Sequence, residues 1–287
     1  MNGLEEITAA LGRAAVLGAP LLIATLGEIY AERSGVANLG VEGMMAMGAL
    51  AAFAVTQATG NPWLGIGAAL IVGGISALLH AFVSISLRAN QFVSGLALSL
   101  LGVGTAGLLG KRYEGQPLVS PLPEWVFLIF GLLLTVILTF HLYRTRGGLI
   151  LRSSGENPAS VDALGINVFK VRYLAVCFGG VLAGLAGAFY PLASSPSWTD
   201  GVTGGQGWIA VALTIFALWN PARALFGALF FGLLYYLSFR LQNTLPSEFL
   251  QMMPFLLVIA ALAVGGLAKK RGAAPEALGL AYARGER

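Results

Sequence analysis

Polar side chains interrupt the apolar stretches of this 287-residue chain at a few places, and together with neighbouring aromatic residues they can do chemistry. The strings NLGVEGMM, RANQFVSGL and QGW hold eight of them, namely Asn38, Glu42, Asn90, Gln91, Phe92, Ser94, Gln206 and Trp208. Amide groups can hydrogen-bond the polar edge of a ring compound such as a nucleobase, and aromatic side chains can stack on its faces. Helix capping and interfacial anchoring are the alternative roles. The pattern predicts a polar pathway or ordinary helix ends.

The composition of the chain indicates a membrane protein. Hydrophobic residues make up 57% and charged residues only 10%, and the mean hydropathy is +0.79. A soluble domain carries about 25% charged residues, so this chain has too few polar groups to cover a soluble surface. The apolar residues come in unbroken runs, which favours helices over alternating strands. The sequence therefore predicts an all-α polytopic membrane protein.

Apolar runs of about 20 residues, the length that crosses a bilayer as a helix, divide the chain into candidate spans. We count about nine, within a range of eight to ten: Gly12–Ala31, Leu39–Gly60, Trp63–Leu87, Phe92–Gly110, Glu124–Tyr143, Tyr173–Ala193, Gln206–Trp219, Ala222–Gln242 and Glu248–Ala268. The longest polar connection, residues 144–172, is too short for a soluble domain. We expect one transmembrane domain over residues 1–268 and a basic tail at residues 269–287.

The distribution of basic residues indicates which end of the spans faces the cytoplasm. If residues 144–172 are cytoplasmic, alternation of nine spans places 13 of the 17 Lys and Arg on that side. The other four, Arg13, Lys111, Arg112 and Arg240, lie outside with the N-terminus. We expect the basic cluster at residues 269–271 to anchor the cytoplasmic tail at an anionic leaflet, and specific binding of a lipid or a partner is the alternative. The net charge of +4 requires no nucleic acid as a partner.

Two segments of the chain share a weak pattern. One apolar run opens at Gly43 and ends in an Asn-Pro turn at residues 61–62, and another opens at Gly207 and ends in an Asn-Pro turn at residues 220–221. In the predicted topology Gly43 lies at the inner face and Gly207 at the outer face, so the two copies form an inverted repeat. Such repeats place a pathway at their interface, lined by interrupted helices at mid-membrane depth. Chance recurrence in an alanine-rich chain is the alternative.

The sequence contains none of the common catalytic motifs. It has no GxxxxGK[ST] loop, no HExxH pair and no GxSxG elbow, and its two histidines are too few for a metal site. The GxGxxG match at residues 102–107 lies inside an apolar run, which favours helix packing over dinucleotide binding. Gly180, Gly184 and Gly187 also predict a close helix contact. We therefore expect no catalytic residue, metal or cofactor on this chain.

Three charged residues, Glu28, Glu32 and Arg33, surround the predicted cytoplasmic end of the first span. Ionisable groups in a membrane usually face a cavity or a partner. We expect an interfacial salt bridge among these three residues, and a position in the pathway is the alternative.

Residues 144–172 contain the signal for a short helix. Asn157 precedes Pro158 and is therefore disfavoured in helix, whereas Pro158 suits a first helical turn. The pattern predicts a helix from Pro158 to Leu164 that ends at Gly165. Glycines and basic residues frame this helix, which is typical of a docking element rather than of a plain linker.

At these residues the chain resembles the inner-membrane permeases of ABC importers for simple sugars, nucleosides and branched-chain amino acids. The residues similar to that family's coupling loop are Gly155, Glu156, Asn157 and Pro158 at its start and Ala163, Leu164, Gly165 and Ile166 at its end. The segments SGVANLGVEGMMAMGA, at residues 34–49, and NQFVSGLALSLL, at residues 90–101, resemble the nucleoside branch most. The resemblance covers about residues 27–266. Sugar permeases of this group tend to have an extra N-terminal helix, which the predicted topology lacks.

The resemblance implies a permease subunit of an ATP-driven importer in the bacterial cytoplasmic (inner) membrane, working by alternating access. The implied partners are a cytoplasmic tandem ABC ATPase, a second permease subunit, often non-identical in the nucleoside branch, and an extracellular or periplasmic substrate-binding protein. ATP and Mg would bind to the ATPase. The coupling residues would sit in a cleft of that partner, and the polar residues of the apolar runs would lie near the substrate pathway.

Other functions stay open at this point. A simple sugar, a nucleoside and a flavin-like compound could each use amides and aromatic rings. An ion-coupled secondary transporter would use Glu42 or Glu28 as the titrating group. An intramembrane enzyme would need a nucleophile paired with a base, and the sequence shows no such motif.

Overall fold

The protein is described here by a computed structural model that covers residues 3–118, 120–242, 245–246, 249, 252–253, 255–256, 259–260, 263 and 274–284. The described chain is helical apart from turns and two isolated bridges. Its helices are α1 (Gly3–Glu32), α2 (Val41–Thr59), α3 (Pro62–Ala81), α4 (Gln91–Gly110), α5 (Trp125–Arg144), α6 (Arg146–Glu156), α7 (Pro158–Ala163), α8 (Val168–Phe189), α9 (Gln206–Phe216) and α10 (Pro221–Leu241). Short π-helical turns extend α3 over Phe82–Ser86 and α8 over Tyr190–Ser194, and a 3₁₀ turn at Lys111–Tyr113 extends α4.

Seven helices in the described part of the chain are long and apolar enough to cross a membrane, and α9 is a shorter apolar helix. Each of the first eight predicted spans coincides with one of these eight helices. The predicted ninth span, Glu248–Ala268, and the basic cluster at residues 269–271 lie mostly outside the described residues. The all-α polytopic class is therefore confirmed, and the total of nine spans stays a prediction.

Several helix boundaries differ from the prediction because polar helical turns carry no apolar signal. The polar connection at residues 144–172 contains a second helix, α6, in addition to the predicted short helix α7. Thr145 caps α6 by accepting a hydrogen bond of 3.1 Å from the Gly148 amide. Helix α8 starts at Val168 rather than at Tyr173, and α1 starts at Gly3 rather than at Gly12. Counting apolar runs finds the part of a helix inside the lipid and misses its polar ends.

Glycines bring the central helices into backbone contact, as the sequence predicts. Helix α8 packs against α1, α2 and α3. A side chain at Gly180 or Gly184 would overlap α3, and one at Gly187 would overlap the backbone of Met45 in α2. Small residues permit this close approach, which drives helix association in lipid through van der Waals contact.

The Asn-Pro repeat positions make equivalent helix contacts. In α3, Ala69 and Gly73 meet the backbone of α8. In α10, the residues 159 positions later, Ala228 and Gly232, meet the backbone of α1. Asn61 and Asn220 both cap the following helix through their side-chain oxygens. The two copies of the predicted repeat, α2–α3 and α9–α10, therefore make equivalent contacts after their Asn-Pro turns, and their inverted relation stays a prediction.

Ion pairs show which helix ends lie together. Arg13 near the start of α1 pairs with Glu124 before α5, and Arg240 at the end of α10 lies 3.5 Å from Glu6. Residues 111–112, which follow α4, lie on the same side of the bundle. The segment that leads from α4 to α5 is hydrogen-bonded there to the segment that follows α8. The four basic residues predicted to lie outside therefore share one end of the bundle. Helices α6 and α7 lie at the opposite end, which we call the coupling face.

Two glycines of the GxGxxG string allow the close contact between α2 and α4 to be tested with a matched control. A side chain at Gly102 would overlap the backbone of Gly43, whereas nothing lies within 4 Å of the equivalent atom at Gly104. We expect Gly102→Val to lower the free energy of unfolding by about 1–3 kcal/mol or more through overpacking, and Gly104→Val to have a much smaller effect. The thermal unfolding midpoint of the purified protein in detergent measures both. Equal midpoints for the two variants would contradict a close contact between α2 and α4.

Candidate functional site

A buried carboxylate joins the starts of α2 and α9. Glu42, in the first turn of α2, is 5% exposed. Its Oε1 accepts hydrogen bonds from the Thr203 hydroxyl at 2.6 Å and the Gly205 amide at 3.0 Å, and its Oε2 accepts one from the Gly207 amide at 2.6 Å. The positive end of the α9 dipole favours a negative charge there. Glu42 therefore caps the N-terminus of a helix that starts 164 residues later in the sequence.

The loop before α9 is shaped to surround this carboxylate. Gly201, Gly204 and Gly205 have positive φ angles of 67°, 55° and 80°, a region that L side chains rarely adopt. The glycines let the chain turn tightly enough for Gly205 and Gly207 to aim amides at the same group. A side chain at Gly207 would overlap Glu42 itself. The string TDGVTGGQG, ahead of an unusually short apolar run, is the sequence signal that could have located this site.

The contact between Glu42 and α9 lies near the middle of the membrane. Helix α9 has 11 residues, which gives a length of about 16 Å, roughly half of a hydrocarbon core of about 30 Å. Just beyond its far end, the Trp219 indole donates a hydrogen bond to Glu32, the last residue of α1. The start of α9 is therefore displaced by about half a membrane from the coupling-face end of α1.

This depth corrects one prediction. Gly43 and Gly207 were expected at opposite faces of the membrane, yet Glu42 hydrogen-bonds to Gly207, so the two segments meet at one depth. The reason is the linker at residues 33–40, which folds back along α1 before α2 begins. Asn38 in this linker donates to Glu28, one turn before the end of α1, through its backbone amide and its side chain, both at 3.2 Å.

Polar atoms without hydrogen-bond partners lie near Glu42. The Gln206 Oε1 and the Tyr190 hydroxyl are both buried and accept or donate no hydrogen bond within the described residues. Tyr190 is close enough to Glu42 and to Tyr235 of α10 to interact electrostatically with both. Trp208 lies half-buried in the first turn of α9. Buried polar atoms are normally satisfied, so unpartnered ones suit a site where water or a ligand binds.

The predicted pathway residues therefore divide into two groups. Glu42, Gln206 and Trp208 lie together at mid-membrane depth. The others lie towards the coupling face and have structural hydrogen bonds or surface positions, namely Asn38, Asn90, Gln91, Phe92 and Ser94. The sequence did not single out Tyr190, Tyr235 or Thr203, because hydroxyl-bearing side chains are common in any apolar run.

The residues of the second group hold helix ends and the linker in place. Asn90 caps α4 by accepting bonds from two amides, and Phe92 is 47% exposed. The Ser94 hydroxyl bonds to His80 Nδ1 at 3.0 Å, and His80 Nε2 lies 3.1 Å from the Ala37 carbonyl of the linker. The Gln91 Oε1 accepts from the Ala37 amide at 2.8 Å.

The expected salt bridge among Glu28, Glu32 and Arg33 is wrong. Glu28 and Glu32 are 1% and 5% exposed, and they are bound by Asn38 and Trp219. Arg33 instead donates to the Trp219 carbonyl at 3.0 Å, because Leu218 and Trp219 adopt positive φ angles in the turn after α9. The short spacing in the sequence did not indicate that the Arg33 side chain points away from the two glutamates.

The coupling face presents α7 as predicted. Asn157 caps this helix by accepting a bond of 3.0 Å from the Ser160 amide, and Pro158 occupies its first turn. Gly165 follows the helix with a φ of 79°, and Leu164 beside it is 79% exposed. Of the remaining coupling-loop residues, Gly155 and Glu156 end α6, Ala163 is the last residue of α7, and Ile166 follows α7. An exposed short helix with a large apolar side chain at its end is suited to docking.

A cavity of about 270 Å³ opens beside α7 and is lined in part by Arg33, Arg152 and Glu156. The Arg33 Nη1 lies 4.0 Å from the Glu156 Oε1. The linker that leads to Glu42 therefore starts in contact with the docking region. Among the described residues, no group of three or more His, Cys, Asp or Glu side chains is placed to hold a metal ion.

The C-terminal residues 274–284 lie across the coupling face. Arg284 Nε donates to Asp162 of α7 at 3.0 Å, and the Tyr282 ring packs against Phe169 at a centroid distance of 5.8 Å. Partial desolvation and the neighbouring Asp162 carboxylate raise the pKa of the Tyr282 phenol. The sequence predicted a basic tail here but not its attachment to the fold.

A bundle with several helices long and apolar enough to cross a membrane, a buried polar site and an exposed short helix at one end is compatible with a membrane permease. The chain matches the family of branched-chain amino acid transport system permease components over residues 10–262, and it belongs to that family. It is accordingly a multi-pass ABC transporter permease of the inner membrane.

Three relatives illustrate the family. The chain is 34% identical to the guanosine ABC transporter permease protein NupQ of Bacillus subtilis, over 95% of each chain. It is 32% identical to the nucleoside ABC transporter permease protein NupC of Lactococcus lactis, over 98% of this chain and 99% of that protein. It is 45% identical to TsgC13 of Haloferax volcanii, provisionally named a glucose ABC transporter permease protein, over 78% of this chain and 74% of that one. No solved structure matches the chain.

The cap on α9 can be tested by Glu42→Gln. The amide keeps one accepting oxygen but turns an NH₂ group towards backbone amides that also donate. We expect the free energy of unfolding to fall by about 1.5–3 kcal/mol, the usual contribution of a hydrogen bond to a charged group. We also expect faster amide hydrogen exchange at residues 203–209. Glu114→Gln, at an exposed carboxylate, is the control. Unchanged exchange at the start of α9 would show that the cap does not hold this helix.

Proposed function

We propose that this chain is the permease subunit of an importer for nucleosides or closely related ring compounds. The observation that carries the proposal is the mid-membrane site, where Glu42 fixes the start of α9 and two buried polar atoms, on Gln206 and Tyr190, have no described partner. Trp208 adds an aromatic surface on the same helix turn. Amide, phenol and indole groups together suit the polar edge and the faces of a nucleobase. The relatives NupQ and NupC, which match over nearly the whole chain, support this substrate class.

A simple sugar is the second candidate substrate. It is favoured by the 45% identity to TsgC13, although that match covers a smaller share of the chain. Both substrate classes carry hydroxyl groups, so hydrogen bonds to Gln206 and Tyr190 serve either. Uptake of labelled guanosine and labelled glucose by the reconstituted importer separates the two, and competition by the unlabelled compounds ranks them.

The chain requires partners to transport. A cytoplasmic tandem ATPase binds ATP and Mg and holds α7. A second permease subunit, non-identical to this one, completes the pathway. An extracellular or periplasmic binding protein delivers the substrate. Rearrangement of the helices around the mid-membrane site gives alternating access. For ATP to drive this change, α7 must interact differently with the two states of the ATPase.

An ion-coupled transporter is the principal competing mechanism. Such a protein would catalyse uptake in liposomes by itself under an ion gradient. The proposal predicts no uptake by this chain alone and ATP-dependent uptake by the complete importer.

The cap of α7 gives a test of coupling with a matched control. Asn157→Ala removes the side chain that accepts from the Ser160 amide, which costs about 1 kcal/mol in a helix of only six residues. We expect insertion of the subunit to be unchanged and ATP-driven uptake to fall by about fivefold, the equivalent of that free energy. Asn157→Asp keeps the cap and should retain most of the activity. Equal uptake by both variants would exclude α7 from coupling.

The unpartnered atoms give a test of substrate contact. Gln206→Leu and Tyr190→Phe each remove one hydrogen bond to the substrate, which contributes about 0.5–1.5 kcal/mol. We therefore expect the apparent KM for guanosine uptake by the reconstituted importer to rise by about 2-fold to 13-fold, with the complex still assembled. Tyr236→Phe is the control, because that phenol instead accepts a hydrogen bond from Arg240. A KM unchanged by both substitutions would place the substrate pathway elsewhere.

A further inference from the structure

We propose that residues 274–284 act as a coupling strap, which transmits displacement of the docking helix α7 to the linker at residues 33–40. The inference rests on the proposed function, since it concerns how ATP hydrolysis on a partner moves the mid-membrane site. It goes beyond the docking helix, because it assigns a role to a segment that follows the last predicted span. The segment is attached at one side to the docking region and at the other to the linker.

The first attachment is to α6 and α7. The Ala277 amide donates to the Gly155 carbonyl at 2.8 Å, and the Glu276 amide donates to Glu156 Oε2 at 3.2 Å. Arg284 adds its bond to Asp162. The strap is thus tied to both helices on either side of the Asn157 cap. A displacement of α7 that carries the end of α6 with it must also displace the strap.

The second attachment converges on one carbonyl group. The Leu280 oxygen accepts hydrogen bonds from Gln91 Nε2 at 3.3 Å and from Arg172 Nη1 at 3.1 Å. Both donor side chains are buried, at 1% and 2% exposure. The same two side chains hold the linker, because Gln91 Oε1 accepts from the Ala37 amide at 2.8 Å and Arg172 Nε donates to the Ser34 carbonyl at 3.2 Å. Gln91 and Arg172 therefore link the strap to the linker.

The bonds of the strap differ in strength. The Arg284 and Asp162 side chains are 76% and 20% exposed, and exposed ion pairs contribute little. The bonds to Leu280 are made by buried groups, where a lost partner is more costly. The buried bonds at Ala277 and Leu280 consequently carry most of the proposed coupling, and the Arg284 pair adds little. From Ala37 the chain reaches Glu42 after five residues, so movement of the linker is passed directly to the cap on α9.

The test uses the complete importer in proteoliposomes with a subunit that ends at Ala273. We expect ATP hydrolysis to stay within about twofold of the full-length complex, because α7 is retained. We expect the number of substrate molecules imported per ATP to fall by about tenfold or more, which is typical of the size of allosteric coupling. Arg284→Ala should lower the same ratio by less than about fivefold. An unchanged number of substrate molecules imported per ATP in the truncated complex would contradict the proposed role of the strap.

A second measurement decides the matter if the truncated subunit does not assemble. In a subunit carrying Cys177→Ser, Asp162→Cys and Arg284→Cys, a short bifunctional maleimide joins the strap to α7. A strap that moves together with α7 keeps its import per ATP after cross-linking, whereas loss of import would show that the segment must detach, contrary to the proposal. A full-length importer that imports neither guanosine nor glucose would instead refute the proposed function itself.

Discussion

A carboxylate near the middle of a bilayer is stable only where the protein replaces the hydration it has lost. Glu42 obtains that replacement from a hydroxyl and two backbone amides at the start of α9. The requirement is mutual, because the first amides of a helix have no partners within the helix. A short helix can therefore begin inside the membrane without leaving its end unsatisfied. The glycine-rich turn before α9 and the returning linker before α2 both follow from this arrangement.

The close packing of the bundle brings these two helix starts together. Helices α1 and α8 contact each other through Gly27 and Gly179. Helix α10 packs on α1, and α3 packs on α8. Both α10 and α3 follow an Asn-Pro turn. Backbone contact of this kind depends on glycine and alanine, so it tolerates little change in side-chain size. These backbone contacts join α1 to α8 and α10 and join α3 to α8, and the polar contact between α2 and α9 adds a further connection between the two copies of the predicted repeat.

The sequence was sufficient for the features that depend on local chemistry. Apolar runs located eight helices, and Pro158 after Asn157 located α7 to within a residue. It was insufficient where a long-range contact decides the structure. Nothing near Glu42 in the chain indicates that its partners lie beyond residue 200, and nothing near Asn38 indicates that the linker folds back along α1. Polar helices outside the lipid, such as α6, lack the apolar pattern by which the others were recognised.

The linker at residues 33–40 connects the coupling face to the start of α2. It starts at Arg33, which contacts both the turn after α9 and Glu156 beside the docking helix. It ends just before Glu42, about half a membrane away. A segment of this length that is anchored by buried groups at Ser34, Ala37 and Asn38 cannot move at one end alone. Displacement at the coupling face must therefore either break those buried bonds or be passed on to the start of α9, and passing it on keeps those bonds intact.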